Sequence, residues 1–262
     1  MTMPGLRSVK LGLRILGLTG TLLFVNSLNP TVSVAIAQVD PAIAAYTRAV
    51  SLAEVGNYDE ALAELNDALR ENSDYVDAYV YRGFVRLMVG ESAEDALADL
   101  NQALTRSPTA DVYKARAALR TRLGDHAGAI QDYDRALIQD PDDAEAYRGR
   151  AEAYRMIGAY PAAEYNYTQA LDANPRDGLV YRRRGELRMG TGDPEAALDD
   201  FNQAIVLQPE DPEAYYGRAI LRSQLGDIEG AKSDFQSAAD SFLTRNQPDR
   251  YREALREIDR LP

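Results

Sequence analysis

Glycine, alanine and large apolar residues recur along the chain at a nearly constant interval. From residue 56 onward, a glycine is followed five or six residues later by an alanine, then an aromatic residue or Leu four positions on and a second alanine three positions further. These last three positions lie on one face of a helix. The reference alanines, spaced by 35, 33, 34, 34 and 34 residues, are Ala61, Ala96, Ala129, Ala163, Ala197 and Ala231. The pattern predicts six amphipathic helices.

A second helical segment of about three turns precedes each of these glycines. Each glycine supplies the positive φ that ends a helix. Asp40-Pro41 and Asp211-Pro212 are typical of an N-cap residue followed by proline at the first helical position. Tyrosines lie near the start of five of the segments, at Tyr79, Tyr113, Tyr147, Tyr181 and Tyr215, and prolines close four units, at Pro108, Pro141, Pro175 and Pro209. The chain therefore predicts six helix-turn-helix units.

The Tyr, Gly, Ala, aromatic, Ala and Pro positions closely resemble those of the tetratricopeptide repeat (TPR) family over roughly residues 42–243. The resemblance implies an all-α solenoid of six TPR helix-turn-helix repeats in a right-handed superhelix, with the first helix of each repeat lining a concave groove. Elementary packing agrees, because a two-helix unit buries both its faces only when neighbouring units stack on it.

The last segment departs from the repeat and predicts a C-terminal cap helix. We expect the second helix of repeat 6 to end near Leu243 and another helix to span Asp249 to Leu261. Its apolar stripe contains Tyr251, Ala254, Leu255, Ile258 and Leu261. One apolar face and one charged face are typical of a solubilising cap. The predicted division is residues 38–243 for the repeats and 244–262 for the cap.

Residues 1–37 have the order of a secretory signal peptide. Arg7, Lys10 and Arg14 precede an apolar run from Ile15 to Val25, and Ala35-Ile36-Ala37 matches the small-residue motif at a cleavage site. We expect cleavage before Gln38 and no membrane insertion afterwards; the alternative is an uncleaved anchor. The predicted location is the periplasm, or the thylakoid lumen of a photosynthetic organism.

Composition and charge narrow the function. A formal net charge of −12 disfavours binding to nucleic acid. The chain has no Cys and a single His, His126, so the sequence offers no thiolate or histidine cluster for a metal. It also lacks the phosphate-binding and nucleophile motifs of common enzyme classes. We therefore expect a protein without catalytic, metal-binding or cofactor-binding residues.

An arginine occupies the seventh position of every first helix, and an acid or amide precedes the large residue of every second helix. The arginines are Arg48, Arg82, Arg116, Arg150, Arg184 and Arg218; the facing residues are Glu64, Asp99, Asp132, Asn166, Asp200 and Asp234. We predict that the two sets pair within each repeat as partly buried ion pairs, called here the arginine ladder. Because the fourth repeat has Asn166, Arg150 should be less well compensated.

The resemblance also implies which positions of each first helix face the groove. Nine candidates follow from the fifth, ninth and twelfth positions: Tyr46, Val80, Phe84, Lys114, Arg148, Arg155, Arg182, Tyr216 and Ile220. The groove should then be apolar at both ends and basic in the middle, where Arg122 and Arg183 add charge. A basic groove favours an acidic or C-terminal carboxylate segment of a partner protein.

Two interpretations of these residues stay open. The central charges, such as Arg148 with Glu152 and Arg182 with Glu186, could form pairs on a solvated face, and the aromatic residues could pack internally. In the family's cochaperone members, Asn at the ninth position helps bind the C-terminal carboxylate of a chaperone. No first helix of this chain has Asn at its ninth position, which argues against that type of ligand. The leading hypothesis is an exported scaffold that binds protein or peptide segments during assembly of an envelope or membrane complex. The alternative is a structural subunit of a stable complex or homo-oligomer.

Overall fold

A computed structural model describes residues 40–262, which form thirteen α-helices; the predicted signal peptide and its cleavage site lie outside the described residues. The helices are α1 (Pro41–Glu54), α2 (Tyr58–Glu71), α3 (Val76–Val89), α4 (Ala93–Arg106), α5 (Ala110–Arg122), α6 (His126–Gln139), α7 (Ala144–Met156), α8 (Tyr160–Ala173), α9 (Gly178–Thr191), α10 (Pro194–Leu207), α11 (Pro212–Gln224), α12 (Ile228–Thr244) and α13 (Pro248–Arg260). The first twelve form six consecutive hairpins.

Each hairpin packs its two helices together and stacks on the next hairpin. First helices of neighbouring repeats also contact one another, as in α3 with α5, α5 with α7 and α9 with α11. Over residues 40–262, second helices of neighbouring repeats make no comparable contact. First helices therefore lie closer together and form the inner side of the stack. The predicted all-α solenoid is confirmed.

The predicted turn chemistry is also present. The glycine that separates the two helices has a φ between 76° and 89° in all six repeats, a region that residues with a Cβ adopt at a cost. At the helix starts, the Asp40 carboxylate accepts a hydrogen bond from Ala42 N at 2.8 Å, and that of Asp211 from Glu213 N at 3.2 Å. Both caps are followed by the predicted proline at the first helical position.

Small and large residues alternate in the core as predicted. All six reference alanines are fully buried, so the two helices of a hairpin approach closely at that point. The large residue one turn later is buried in every repeat, at Leu65, Leu100, Tyr133, Tyr167, Phe201 and Phe235. The core is thus a row of small clusters, each completed by the following repeat.

The arginine ladder is confirmed. Arg82 donates to both carboxylate oxygens of Asp99, at 2.6 and 2.9 Å, and Arg116, Arg184 and Arg218 repeat this bidentate geometry. Their acceptors Asp99, Asp132, Asp200 and Asp234 are buried. In repeat 1 the pair of Arg48 with Glu64 is more exposed. Since a buried carboxylate requires compensation, each pair fixes one helix of a hairpin to the other.

A second arginine, four residues after the ladder arginine, binds the same carboxylate in four repeats. Arg120 donates to Asp132 at 2.9 Å, and Arg188 and Arg222 repeat the contact with Asp200 and Asp234. Arg86 lies 3.3 Å from Asp99. This arginine was not predicted from the sequence, although its spacing is regular. Repeat 4 has Tyr154 at this position, and it is also the repeat in which Asn166 replaces the aspartate.

Each ladder arginine from repeat 2 onward also reaches back to the second helix of the preceding repeat. The acceptors are Asn66, Asn101, Asp134, Thr168 and Asn202. Arg150 therefore donates to neutral Asn166 at 2.7 Å and to the Asp134 carboxylate at 2.5 Å. Arg150 thus has a carboxylate partner that the sequence did not predict, supplied by the neighbouring repeat. Because this carboxylate is half exposed and bound through one nitrogen, Arg150 is less well compensated than the arginines with bidentate, buried partners, as predicted.

Helix α13 covers the end of the stack. Ala254 is buried against Phe242 and the alanines of α12, while Ile258 and Leu261 pack near Phe235. Arg252 follows Arg218 by one repeat length but is exposed and pairs with Asp249 of its own helix. Helix α13 thus keeps the spacing of a first helix and serves as the predicted cap.

Candidate functional site

The candidate site is the inner side of the stack, formed by α1, α3, α5, α7, α9 and α11 and called here the first-helix face. Three of its predicted residues are the fifth-position cations Lys114, Arg148 and Arg182. Each lies against an aspartate of the next repeat, at 2.7, 3.3 and 2.7 Å respectively: Asp143, Asp177 and Asp211. Neighbouring first helices are therefore joined by ion pairs across this face.

Each of these aspartates also caps its own helix. Asp143, Asp177 and Asp211 accept hydrogen bonds from the backbone N–H groups of Ala146, Val180 and Glu213. One carboxylate thus begins a helix and binds the cation of the preceding repeat. The contact with the cation was not predicted from the sequence. The available signal was a constant offset of 29 residues between each cation and its aspartate.

Lys114 has the most carboxylate neighbours of the three cations. Besides Asp143, its Nζ lies 3.1 Å from Asp111 and 3.3 Å from Glu145. Burial alone would lower the pKa of Lys114, but its hydrogen bonds with Asp143 and Asp111 outweigh that effect and raise the pKa above its usual value. The lysine is held charged by contacts within the protein.

The remaining central charges form a connected network. Glu152 accepts from Arg155 at 3.0 Å and lies 3.4 Å from Arg183, which in turn donates to Glu186 at 2.9 Å. Arg182 donates to the other oxygen of Glu186 at 2.5 Å. The fully buried Tyr167 anchors the network through its hydroxyl, which donates to Glu152 at 2.7 Å; burial and this carboxylate raise the tyrosine's pKa.

The middle of the first-helix face consequently carries no excess of positive charge. Its five half-buried cations, Lys114, Arg148, Arg155, Arg182 and Arg183, contact seven carboxylates. The inference of a basic groove is therefore wrong, because the cations join repeats to one another. Of the predicted i, i+4 pairs, Arg182 with Glu186 forms, whereas Arg148 pairs with Asp177 in place of Glu152.

Tyr46 does not line an accessible groove. Its side chain is only 7% exposed and its ring centroid lies 5.2 Å from that of Tyr75 and 5.9 Å from that of Tyr81. The alternative of internal packing holds for this residue. Tyr75 follows Tyr46 by the same 29 residues that separate the cations from their aspartates, so repeats 1 and 2 are joined by aromatic packing.

Val80, Phe84, Tyr216 and Ile220 are half-buried. Val80 and Phe84 pack over the cluster of Ala96, Leu100 and Leu119. Each keeps part of its side chain accessible to solvent on the first-helix face. The apolar end of the face in repeats 1 and 2 thus contains Val80 and Phe84 without Tyr46.

At the other end, Tyr216 and Ile220 lie beside the cap helix. The Tyr216 ring packs edge-on against Phe235, and its hydroxyl donates to Glu253 at 3.3 Å. Burial and the charge of Glu253 raise the pKa of Tyr216 to about 12. Arg250 lies 4.6 Å from the Tyr216 ring centroid. Much of this end is therefore occupied by α13.

Two further features concern chemistry and membranes. Within residues 40–262, no group of three or more His, Cys, Asp or Glu side chains is arranged to hold a metal ion. None of the helices in this part of the chain has the length and apolar character needed to cross a membrane.

Comparison with protein-family models identifies repeats along most of the described chain. A tetratricopeptide repeat model matches residues 46–111 and 182–250, and a TPR repeat model matches residues 117–158. No curated protein matches the chain.

Solved structures share the fold. A tetratricopeptide repeat protein from Parabacteroides merdae is 20% identical, with a TM-score of 0.61 over 84% of this chain and 93% of that one. YrrB, described as a TPR protein with an unusual peptide-binding site, is 23% identical, with a TM-score of 0.52 over 67% of this chain and 90% of its own. MamA is 19% identical, with a TM-score of 0.54 over 62% of this chain and 95% of its own. At these identities the likeness establishes the fold alone.

Proposed function

The chain belongs to the tetratricopeptide repeat family, and we propose that it is a scaffold that binds extended segments of partner proteins along its first-helix face. A repeat solenoid presents one continuous surface built from equivalent positions, which suits a ligand that lies along it. The likeness to YrrB, with its peptide-binding site, supports a peptide segment as the class of ligand.

The observation that carries this proposal is the arrangement of half-exposed apolar side chains on the first-helix face. Val80 and Phe84 occupy the fifth and ninth positions of α3, and Ile43, 49% exposed, occupies the second position of the repeat register, which starts at Ala42 in α1. Exposed apolar groups on one face favour an interface. Ion pairs join repeats 3 to 6 along this face, and aromatic packing joins repeats 1 and 2. Such contacts restrain the helices before a ligand arrives, which lowers the entropy lost when it binds.

Site-specific cross-linking tests the proposal. A photoreactive benzoylphenylalanine would replace Phe84 on the first-helix face or, as a matched control, Tyr165, which is 59% exposed on the second helix α8. After irradiation of cells that produce either variant, we expect protein adducts from position 84 and few from position 165. Circular dichroism checks that both variants fold. Adducts formed at position 165 but not at 84 would contradict the proposal.

We further propose that the scaffold is exported and acts in assembly of an envelope or membrane complex. The support is the basic, apolar and small-residue order of residues 1–37. Cell fractionation and N-terminal sequencing of the purified protein test this. A mature chain that begins at Gln38 is expected in the periplasmic or lumenal fraction; an intact N-terminus in the membrane fraction would favour the uncleaved anchor, and one in the cytosol would contradict export.

A structural subunit is the second candidate, and one observation favours it. The residue before the turn glycine is an exposed aliphatic in several repeats, with Val55, Ile157 and Leu225 each more than half exposed. This edge lies at the turns of the hairpins, where a permanent partner or a second copy would cover it. Light scattering over a hundredfold range of concentration separates the candidates, since a constant monomer mass favours the scaffold and a rising mass favours the homo-oligomer.

A further inference from the structure

We propose that the first-helix face of repeats 1–3 binds a protein segment that carries Lys or Arg beside aliphatic side chains. This inference rests on the proposed scaffold function and assigns the chemistry of the ligand. The surface, called here the acidic-apolar surface, comprises Ile43, Asp77, Val80, Phe84 and Asp111.

The apolar part of this surface comes from two neighbouring first helices, α1 and α3. Ile43 lies in the first turn of α1 and is half exposed. Val80 and Phe84 lie one turn apart on α3 and pack their inner sides over the core cluster of repeats 2 and 3. An aliphatic side chain of a ligand would bury the outer sides of these residues, a favourable change of about 25 cal/mol for each Å² removed from water.

The charged part has more carboxylates than cations. Asp77 occupies the second position of α3 and Asp111 the second position of α5. Asp77 forms no ion pair within the described part of the chain, and the pKa of its carboxyl is raised by partial burial and by the nearby charge of Asp111. Asp111 shares its single cation, Lys114, with Asp143 and Glu145. An incoming cation would relieve this repulsion.

The two parts together define the ligand. The stem of a Lys or Arg can lie on apolar side chains while its charged end reaches a carboxylate. In a segment with a basic residue beside an aliphatic one, the aliphatic groups would therefore contact Val80 and Phe84. The charged group would pair with Asp77 or Asp111. The middle of the first-helix face offers no such preference, because its cations and carboxylates already neutralise each other. The inferred ligand is therefore basic, whereas the sequence predicted an acidic one.

Three synthetic peptides test the inference against the full chain. Each has twelve residues with blocked ends; one alternates Leu and Lys, one alternates Leu and Glu, and one alternates Ser and Lys. Fluorescence anisotropy should detect binding of the Leu-Lys peptide. The Leu-Glu peptide lacks the charge and the Ser-Lys peptide lacks the apolar contact, so each should bind at least about tenfold more weakly.

A pair of charge-matched variants locates the binding. Asp77→Asn with Asp111→Asn removes two carboxylates from the acidic-apolar surface and should weaken Leu-Lys binding about tenfold. Glu94→Gln with Asp199→Asn removes two exposed carboxylates from the second helices α4 and α10 and should change it less than about twofold, since distant exposed charges are screened.

Three outcomes would overturn the inference: tighter binding of the Leu-Glu peptide, equal losses in the two variants, or no binding of the Leu-Lys peptide. If position 84 still cross-links to partner proteins in any of these cases, the scaffold function stands and only the assigned ligand chemistry is wrong. If position 84 forms no adducts as well, both proposals fail.

Discussion

The ladder arginines do more than close a hairpin, since from repeat 2 onward each one joins the two helices of its own repeat and also contacts the preceding repeat. Asp132, 1% exposed, shows the arrangement clearly, because it accepts from Arg116 and Arg120 at once. The Asp132 carboxylate compensates the charge of both guanidinium groups, and these supply the hydrogen bonds that the buried carboxylate requires. Stability should therefore depend strongly on the buried acid.

We predict that Asp132→Ala destabilises the protein by about 3–5 kcal/mol, since it leaves two partly buried cations without their carboxylate. Urea unfolding followed by circular dichroism measures the free energy. The control is Asp199→Ala, an exposed aspartate on α10, for which we expect a change within about 0.5 kcal/mol. An unchanged midpoint for Asp132→Ala would show that the ladder contributes nothing to stability.

The fourth repeat allows a second test, because Asn166 and Tyr154 replace Asp and Arg together. Tyr154→Arg should destabilise, since the new cation would face a neutral amide and the partly buried tyrosine ring would be lost from its cluster. Adding Asn166→Asp should restore part of the loss. A double-mutant cycle measures the coupling, which we expect to be at least about 1 kcal/mol; additive effects would mean that the two positions do not interact.

These side chains also show what sequence could predict. A residue that recurs at one position of every repeat solves a problem common to all repeats, so the pairs of Arg82 with Asp99 and their equivalents were predicted correctly. The compensation of Arg150 by Asp134 was not, because that contact crosses between repeats and involves a position that varies. The burial of Tyr46 was left open as an alternative and could not be decided from the sequence, since its partner Tyr75 belongs to the next repeat.

Helix boundaries were predicted well because they depend on local chemistry. The cap of Asp40, the positive φ of the turn glycines and the prolines after the caps each act over two or three residues. The predicted cap helix, from Asp249 to Leu261, differs from the observed α13 by one residue at each end. Packing between helices, by contrast, decides which side of a helix stays accessible. The fifth-position cations were predicted to bind a ligand, whereas they pair with aspartates of the next repeat.

Two neighbouring glycines test the role of the turn conformation. Gly192 has φ of +89° and Gly190 lies within α9, and a Cβ at either position would meet open space. Gly192→Ala should therefore cost about 1 kcal/mol from backbone strain alone, whereas Gly190→Ala should stabilise by about 0.5–1 kcal/mol through helix propensity. Thermal unfolding of both variants measures the difference, and equal shifts would show that backbone conformation does not control this turn.

Stacking makes the stability of the full solenoid depend on its ends. Without α13, the buried side chains of Phe242 and Ala239 would face water. We predict that a chain ending at Gln247 has a free energy of unfolding lower by a few kcal/mol and therefore unfolds at a lower urea concentration. It should also bind a dye specific for exposed apolar surface. Arg256→Ala, on the exposed side of α13, should leave the unfolding midpoint unchanged. A truncated chain as stable as the full one would mean that α13 is dispensable.

The contact of Arg150 with Asp134 means that the repeats are similar without being interchangeable. Repeat 4 has Asn166 where other repeats have an acid, and its arginine pairs with Asp134 of repeat 3. These two repeats therefore depend on each other. Removing residues 110–143 would preserve the helical register, yet it would place Arg150 beside Asn101, which carries no charge. The order of the repeats therefore contains information that the shared motif does not, and any duplication, loss or exchange of a unit has to preserve that pairing of neighbours.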